Sequence, residues 1–142
     1  MTEFTGRLIV IEPARRWQVL VNWHSTDRDS GKLRLTHAAT GRIIELHWQK
    51  NQMHLRDNQA AFTSWKNIDL KDLASFGISL QPNDISLFLA GQTPSGFAVT
   101  AKNRWTGKRM DSLLKVKWIQ NRNQLRITDA TLGKTAILTV DD

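Results

Sequence analysis

Apolar residues recur at every second position through most of this 142-residue chain, and this period limits what it can fold into. A period of two places successive side chains on opposite faces of a strand, as in a sheet with one buried face. The sequence predicts nine or ten strands. Their positions are 7–12, 17–24, 33–36, 42–48, 52–57, 97–101, 114–118, 125–127 and 136–140, with weaker signals around Ala61–Trp65 and around Arg104.

Only between Asn67 and Gly91 does the apolar spacing become helical. The first predicted helix has Asn67 as its N-cap and stops at Gly77, and the second begins at Pro82 and stops at Gly91. Their apolar stripes contain Leu70, Leu73, Ala74, Ile85, Phe88 and Leu89, with Asp69, Asp72 and Asp84 near the helix starts. Such short helices are marginal alone and must dock on an apolar surface.

Together these patterns predict a mainly β fold of the α+β class. Nine or ten strands are more than a flat sheet of this size carries comfortably, so we expect an unclosed, strongly curled antiparallel barrel. The two helices lie between its halves and would cover it as a lid or a plug. We expect residues 1–142 to form a single domain.

The hairpin at Arg42–Asp57 has the most specific predicted register. If Gln49 lies opposite Gln52, one face pairs Trp48 with Met53 and Leu46 with Leu55. The other face then pairs Glu45 with Arg56 and His47 with His54. Apolar partners and opposite charges therefore fall together across the ladder, as stable cross-strand pairs do.

Motifs for catalysis and for metal or nucleotide binding are missing from the sequence. It contains no cysteine, no phosphate-binding glycine loop, no HExxH and no GxSxG. The predicted pair of His47 and His54 has no third ligand nearby, so we interpret it as solvent-facing. We expect a protein that is not an enzyme and that needs neither a cofactor nor a metal ion.

The sequence has six tryptophans and no tyrosine. Four of them, Trp17, Trp23, Trp48 and Trp118, fall on predicted apolar faces. Any one of them is more simply a core residue. Together, lining a curled sheet beneath a helical lid, they would form a deep apolar pocket for a chain-like ligand. Helices that fill the concavity and leave a structural domain are the alternative.

Positive charge is concentrated between Lys102 and Arg126. This segment has eight basic residues and one acidic residue, Asp111, whereas the rest of the chain is neutral although the whole carries +7. A local field of this kind suits an anionic partner, and a solvated sheet surface is the alternative. Nucleic acid is the less favoured partner, because only Trp105 and Trp118 could stack on bases and Trp118 is predicted to face inward.

Several segments resemble the outer-membrane lipoprotein receptor family, LolB. These are GRLIV from Gly6, the Val-Asn-Trp ending at Trp23, LRLTHAATGRIIEL from Leu33, MHLRDNQ from Met53, LQPNDISLFLAGQTP from Leu80 and LRITDATLGKTAILTVDD from Leu125. The resemblance covers most of the chain and contains no catalytic signature. It implies an unclosed barrel that holds the acyl chains of lipoproteins and passes them toward the outer membrane.

The resemblance also implies partners and a location. They are acylated lipoprotein cargo, a periplasmic LolA-like carrier and the outer-membrane surface, with the protein a monomer on the periplasmic face of that membrane. Acyl chains would contact Val19, Val21, Trp23, Leu33, Leu35, Leu46, Trp48, Met53, Leu55, Leu73, Phe88, Leu89, Phe97, Val99, Val116 and Trp118. Contacts with anionic partners would come from Lys102, Arg104, Lys108, Arg109, Lys115 and Lys117.

Two features depart from the family pattern. The lipidated cysteine and the leading helix of the family have no counterpart in this sequence. The loop expected to face the membrane is His37, Ala38, Ala39, Thr40 and Gly41, and Ala39 stands where the family has a large apolar residue. Alanine buries too little surface to insert strongly into a membrane.

Overall fold

The computed structural model describes residues 2–27, 29–50, 52–59, 64–74 and 80–141. This part of the chain contains eleven strands in one antiparallel sheet. Helices α1 (Leu70–Ala74) and α2 (Pro82–Leu89) lie between β6 and β7, and a 3-10 turn covers Gln120–Arg122. The strands are β1 (Thr2–Ile11), β2 (Arg16–Asp27), β3 (Ser30–His37), β4 (Arg42–Gln49), β5 (Gln52–Asp57), β6 (Lys66–Ile68), β7 (Phe97–Ala101), β8 (Arg104–Arg109), β9 (Ser112–Ile119), β10 (Gln124–Asp129) and β11 (Lys134–Val140).

The sheet is unclosed, and its strand order is β6-β5-β4-β3-β2-β1-β11-β10-β9-β8-β7. The first and last strands, β1 and β11, pair in the middle, for example Leu8 with Leu138. The two edges are β6 and β7, and the chain between them carries both helices. The predicted fold class is confirmed. All nine strands with clear alternation form, and two more bring the total to eleven. One is β8, which matches the weak signal around Arg104, and the other is β6 (Lys66–Ile68), which follows the weak signal at Ala61–Trp65 and does not coincide with it.

Contacts of helix α2 require the sheet to curl. Its first turn lines a small internal gap with Trp48 and Met53 of β4 and β5. At its other end, the ring centroid of Phe88 lies 4.9 Å from that of Trp105 on β8. An eight-residue helix is about 12 Å long, whereas β4 and β8 would be about 34 Å apart in a flat sheet. The two halves of the sheet therefore fold toward each other around α2.

The hairpin of β4 and β5 has the predicted register. Gln49 lies opposite Gln52, and the pairs Trp48–Met53, Leu46–Leu55, His47–His54 and Glu45–Arg56 all form. An Arg56 Nη2 donor lies 2.7 Å from Glu45 Oε1. The turn between the strands uses Lys50 in the left-handed region, with φ of 55°.

The first helix differs from its prediction. Asn67 lies in strand β6 and is not an N-cap. Asp69 has that role, because its Oδ1 accepts a hydrogen bond from the Asp72 amide at 2.9 Å, and Asp72 Oδ2 accepts one from the Asp69 amide at 3.1 Å. The predicted stop at Gly77 and residues 61–63 of the weak strand lie outside the described residues.

The second helix begins at Pro82 as predicted, and Gly91 follows it with φ of 74°. Phe88 on this helix also meets Phe97 of β7 edge to face, with 5.2 Å between ring centroids. Phe97 in turn lies against Gly107 of β8, where an added Cβ would come within 2.6 Å of its ring. Glycine at 107 is therefore what lets this aromatic ring lie flat on the sheet.

The core lies on the face of the sheet that the helices cover, called here the inner face. Burial alternates along the strands: Val21 and Trp23 are both 3% exposed, whereas the preceding residue Leu20, on the outer face, is 45% exposed. A second aromatic cluster joins three inner residues, with Trp23 stacked on Phe4 at 5.6 Å and tilted on Trp48 at 5.0 Å. Leu73 of α1, Ile85 and Phe88 of α2, and Leu80 just before α2 complete this core.

Candidate functional site

A cavity of about 560 Å³ lies on the inner face where β2, β3 and β4 leave their hairpin loops. Its floor consists of four apolar side chains, Trp17, Val19, Leu35 and Ile44. The ladder brings them together, since Leu35 lies directly opposite Ile44. The volume lies within the range of about 300–1,000 Å³ that is typical of small-molecule sites. An apolar chain is the ligand that such a floor favours.

Polar and cationic side chains form the rim of this cavity: Arg15, His37, Thr40, Arg42 and Gln59. Hydrogen bonds hold the rim in place. His37 Nδ1 lies 2.8 Å from Thr40 Oγ1, and Gln59 Nε2 donates to the Thr40 carbonyl at 3.0 Å. The cavity is thus amphipathic, with an apolar floor and a rim that can face the polar part of a ligand.

Two ion pairs set the charge of the rim. Arg42 donates from Nη2 to Asp57 Oδ2 at 2.6 Å and from Nε at 3.2 Å. The Arg42 hydrogen bonds hold the pKa of Asp57 below its usual range. Arg15 Nε lies 2.9 Å from Glu12 Oε2. Hydrogen bonds from Arg15 and from the Trp17 indole lower the pKa of Glu12, so both carboxylates are ionised at neutral pH.

The Trp17 indole also fixes one wall of the cavity. Its Nε1 donates to Glu12 Oε1 at 3.2 Å, across the turn that connects β1 to β2. A tryptophan bound in this way presents its apolar ring to the cavity and its polar atom to the rim.

Fifteen of the sixteen predicted acyl-chain residues are divided among three environments, and the sixteenth, Val99, is exposed. Val19 and Leu35 line the cavity. Most of the others are buried in the core: Val21, Trp23, Leu33, Leu46, Trp48, Met53, Leu55, Leu73, Phe88 and Val116. Leu89, Phe97 and Trp118 are partly buried against that core. Helix α2 occupies the part of the concavity where most of the predicted residues meet.

Val99 is placed differently from its prediction. It is 60% exposed, although it lies opposite the buried Trp105. The reason is its position on edge strand β7, just before an irregularity in the pairing with β8. Alternation predicts the face of a residue but not whether another element covers it.

Of the cavity residues, Trp17 belongs to the predicted aromatic pocket, whereas Ile44, Arg15 and Gln59 are not among the predicted contacts. Ile44 has the same parity as Leu46, so the alternation could have added it. Arg15 and Gln59 lie in connections between strands, where no periodic signal exists. Of the predicted membrane-facing loop, His37 and Thr40 line the cavity, whereas Ala38 and Ala39 are exposed.

The predicted basic contacts lie in or beside strands β8 and β9, and one of them, Arg109, is paired within the protein. Lys102, Arg104, Lys108 and Lys115 are exposed and Lys117 is half-buried. Arg109 instead donates two hydrogen bonds to Asp84 of α2 and one to the Ser95 carbonyl. It therefore joins a helix to the sheet and does not belong to the free cationic surface.

Trp105 is not available for stacking on bases. It is 3% exposed, and its Nε1 donates to Thr93 Oγ1 at 3.2 Å. Since Trp118 also packs against the core, neither of the two candidate tryptophans forms an exposed aromatic platform. This weakens the case for single-stranded nucleic acid.

His47 and His54 face each other across the hairpin as predicted. The His47 ring packs on Trp65, with 4.1 Å between ring centroids. Burial, followed by the charge of Lys32, lowers the pKa of His47. Among the described residues, no group of three or more His, Cys, Asp or Glu side chains is arranged to hold a metal ion.

Neither of the helices in the described part of the chain is long and apolar enough to cross a membrane. The sequence matches no protein-family model and no curated protein. Among solved structures, the chain is similar to the crystal structure of a LolA superfamily protein from Nitrosomonas europaea, with a TM-score of 0.56. The two are 9% identical, and the match covers 99% of this chain and 84% of that chain. The chain therefore has a LolA-like fold.

Proposed function

We propose that this protein binds the acyl chains of lipoproteins in the inner-face cavity and hands them on without chemical change. The observation that carries the proposal is the amphipathic cavity, with its apolar floor and its rim of Arg15, His37 and Arg42. The LolA-like fold and the resemblance of several segments to the LolB family support the same ligand class.

Burial alone supplies the driving force for this function. Each methylene moved from water to an apolar floor contributes about 0.8 kcal/mol. A chain can therefore pass between two apolar sites according to which buries more of it, and no bond needs to form or break. The polar side chains of the rim would face the polar end of the acyl chains, where ester and amide carbonyl oxygens accept hydrogen bonds.

The finer parts of the proposal concern place and partners. We place the protein on the periplasmic side of the outer membrane, receiving cargo from a LolA-like carrier. The loop with Ala38 and Ala39 lies beside the cavity rim, because His37 and Thr40 belong to both. In this position, the loop would bring the cavity close to a membrane without inserting deeply.

A fluorescence titration tests the proposal, because Trp17 lies in the cavity floor and its emission should respond to a bound chain. The ligands are a diacylated lipopeptide and the same peptide without lipid. We expect saturable binding of the lipopeptide only. Equal responses to the two peptides would contradict acyl-chain recognition.

A matched pair of variants locates the binding site. Ile44 lies in the cavity floor, and its neighbour Ile43 has the opposite parity and lies on the outer face. Ile44→Glu places a charge in the path of the acyl chain and should weaken binding about tenfold or more. Ile43→Glu makes the same chemical change outside the cavity and should leave the affinity within about twofold. Equal losses in the two variants would place the lipid elsewhere.

A further inference from the structure

Three cations lie side by side on the outer face of the sheet, on strands β8, β9 and β10. The pairing places Arg104 of β8 directly against Lys117 of β9, and Lys117 directly against Arg126 of β10. Neighbouring strands are about 4.8 Å apart, so this basic row concentrates three positive charges within about 10 Å. Like charges directly opposite one another destabilise a sheet, which makes the arrangement costly unless an anion joins it.

The next row of side chains adds hydrogen-bond donors. Lys115 of β9 lies between Thr106 of β8 and Thr128 of β10 in the same register. Together with Thr100, the two rows line an outer groove of about 420 Å³. Among the described residues, no carboxylate lines this groove.

Arg126 supplies an independent indication that a ligand belongs here. Its Nε is shielded from solvent and has no hydrogen-bond partner among the described residues. A buried donor on a charged group is rarely left without an acceptor. Elsewhere in this sheet, arginines of comparable exposure have partners, as Arg42 has in Asp57 and Arg56 in Glu45.

We propose that the outer groove binds a phosphate group through Arg104, Lys117 and Arg126. A phosphate group carries more than one negative charge in its monoester form and has several acceptor oxygens. It can therefore engage two guanidinium groups and an ammonium group at once, as a single carboxylate cannot. The hydroxyl groups of Thr106 and Thr128 offer further donors. This site lies on the opposite face of the sheet from the lipid cavity and does not depend on it.

The first experiment titrates the protein with inorganic phosphate at constant ionic strength and follows binding by calorimetry. We expect saturable binding to the unmodified protein and a loss of affinity of about tenfold in Arg126→Gln. Arg7→Gln is the matched control, because Arg7 is an exposed arginine on the outer face that does not line the groove. An equal loss in both variants, or no saturable binding, would overturn the proposal.

A second measurement guards against misfolding of the variants. Phosphate should raise the melting temperature of the unmodified protein and of Arg7→Gln above that in chloride, since a ligand stabilises the state that binds it. In Arg126→Gln the rise should be clearly smaller at the same phosphate concentration, because the affinity is lower. A rise in Arg126→Gln as large as that in the unmodified protein would overturn the assignment.

The source of the phosphate group is resolved with vesicles. Phosphatidylcholine vesicles that contain phosphatidic acid should retain the protein if the site takes a lipid headgroup, and free phosphate should release it. Phosphate binding without vesicle retention would identify a small soluble phosphomonoester, and the proposed site stands in both cases. Tight binding of a DNA oligonucleotide that phosphate does not compete with would overturn it, because the surface would then follow a nucleic-acid backbone.

Discussion

Arg109 and Asp84 join helix α2 to strand β8 through two hydrogen bonds. Arg109 Nη2 lies 3.1 Å from Asp84 Oδ1, and its Nε lies 3.2 Å from Oδ2. Both side chains are shielded, at 19% and 8% exposure. The Arg109 guanidinium also lies 4.6 Å over the Phe97 ring. This pair therefore ties α2 to strand β8 of the curled sheet.

Replacing Arg109 with glutamine should lower the free energy of unfolding by about 3 kcal/mol, because Asp84 would be left as a shielded charge without its partner. Urea unfolding measures the loss. The matched control is Lys108→Gln, which removes the same charge at an exposed neighbour and should change stability by less than about 0.5 kcal/mol. If Arg109→Gln lowered the free energy of unfolding by as little as Lys108→Gln, the apolar contacts of α2 alone would hold the helix on the sheet.

Phe88 is the apolar counterpart of this ion pair. It is 1% exposed and touches both Phe97 and Trp105. Phe88→Ala should cost about 3–5 kcal/mol in unfolding free energy, since it opens a cavity between helix and sheet. Val99→Ala, at a 60% exposed position of the neighbouring strand, should cost less than about 0.5 kcal/mol. A loss of stability in Phe88→Ala as small as that in Val99→Ala would show that α2 packs loosely.

The β4–β5 hairpin and helix α2 are the elements that the sequence predicted best. Period-two alternation predicted the strands and the full register of the β4–β5 hairpin, because each register error would have turned Leu46 and Trp48 toward solvent. The helix spacing predicted α2 from Pro82 because proline and glycine mark its ends. These are local rules, and each acts within one or two neighbouring elements.

The cavity depends on relations that local rules do not contain. Alternation placed Trp48 and Phe88 on the inner face, but it could not tell that α2 covers them and leaves Trp17 and Ile44 to line the cavity. Nor could it separate Arg109 from its basic neighbours, because Asp84, its partner, is 25 residues away in sequence. Variants such as Trp48→Asp or Phe88→Asp therefore test folding and not ligand binding.

The Arg42–Asp57 pair on the cavity rim predicts a dependence of stability on pH. Its hydrogen bonds lower the pKa of Asp57 in the folded state. The stabilisation is therefore present above the unfolded value of about 3.9 and is lost as the pH falls through the lower folded value. Asp57→Asn should reduce stability by about 1 kcal/mol at pH 7, a modest value because Arg42 is 43% exposed.

The measurement is urea unfolding of both proteins from pH 7 to pH 2. The difference between them should stay constant down to about pH 4 and shrink below it. Asp141→Asn, a change at an exposed position, serves as the control for the removal of one carboxylate. A difference that persists unchanged at pH 2 would assign the loss to packing.

Acyl-chain length gives the sharpest test of how the cavity binds. A methylene buried on the floor of Trp17, Val19, Leu35 and Ile44 contributes about 0.8 kcal/mol, so each added methylene should raise affinity about fourfold. The rise should end when the cavity of about 560 Å³ is full, because further methylenes remain in water. Lipopeptides of increasing chain length, titrated against Trp17 fluorescence, measure both the slope and the plateau. In Ile44→Glu the slope should fall, whereas in Ile43→Glu it should be unchanged. An affinity independent of chain length in the unmodified protein would mean that the rim, and not the floor, recognises the ligand.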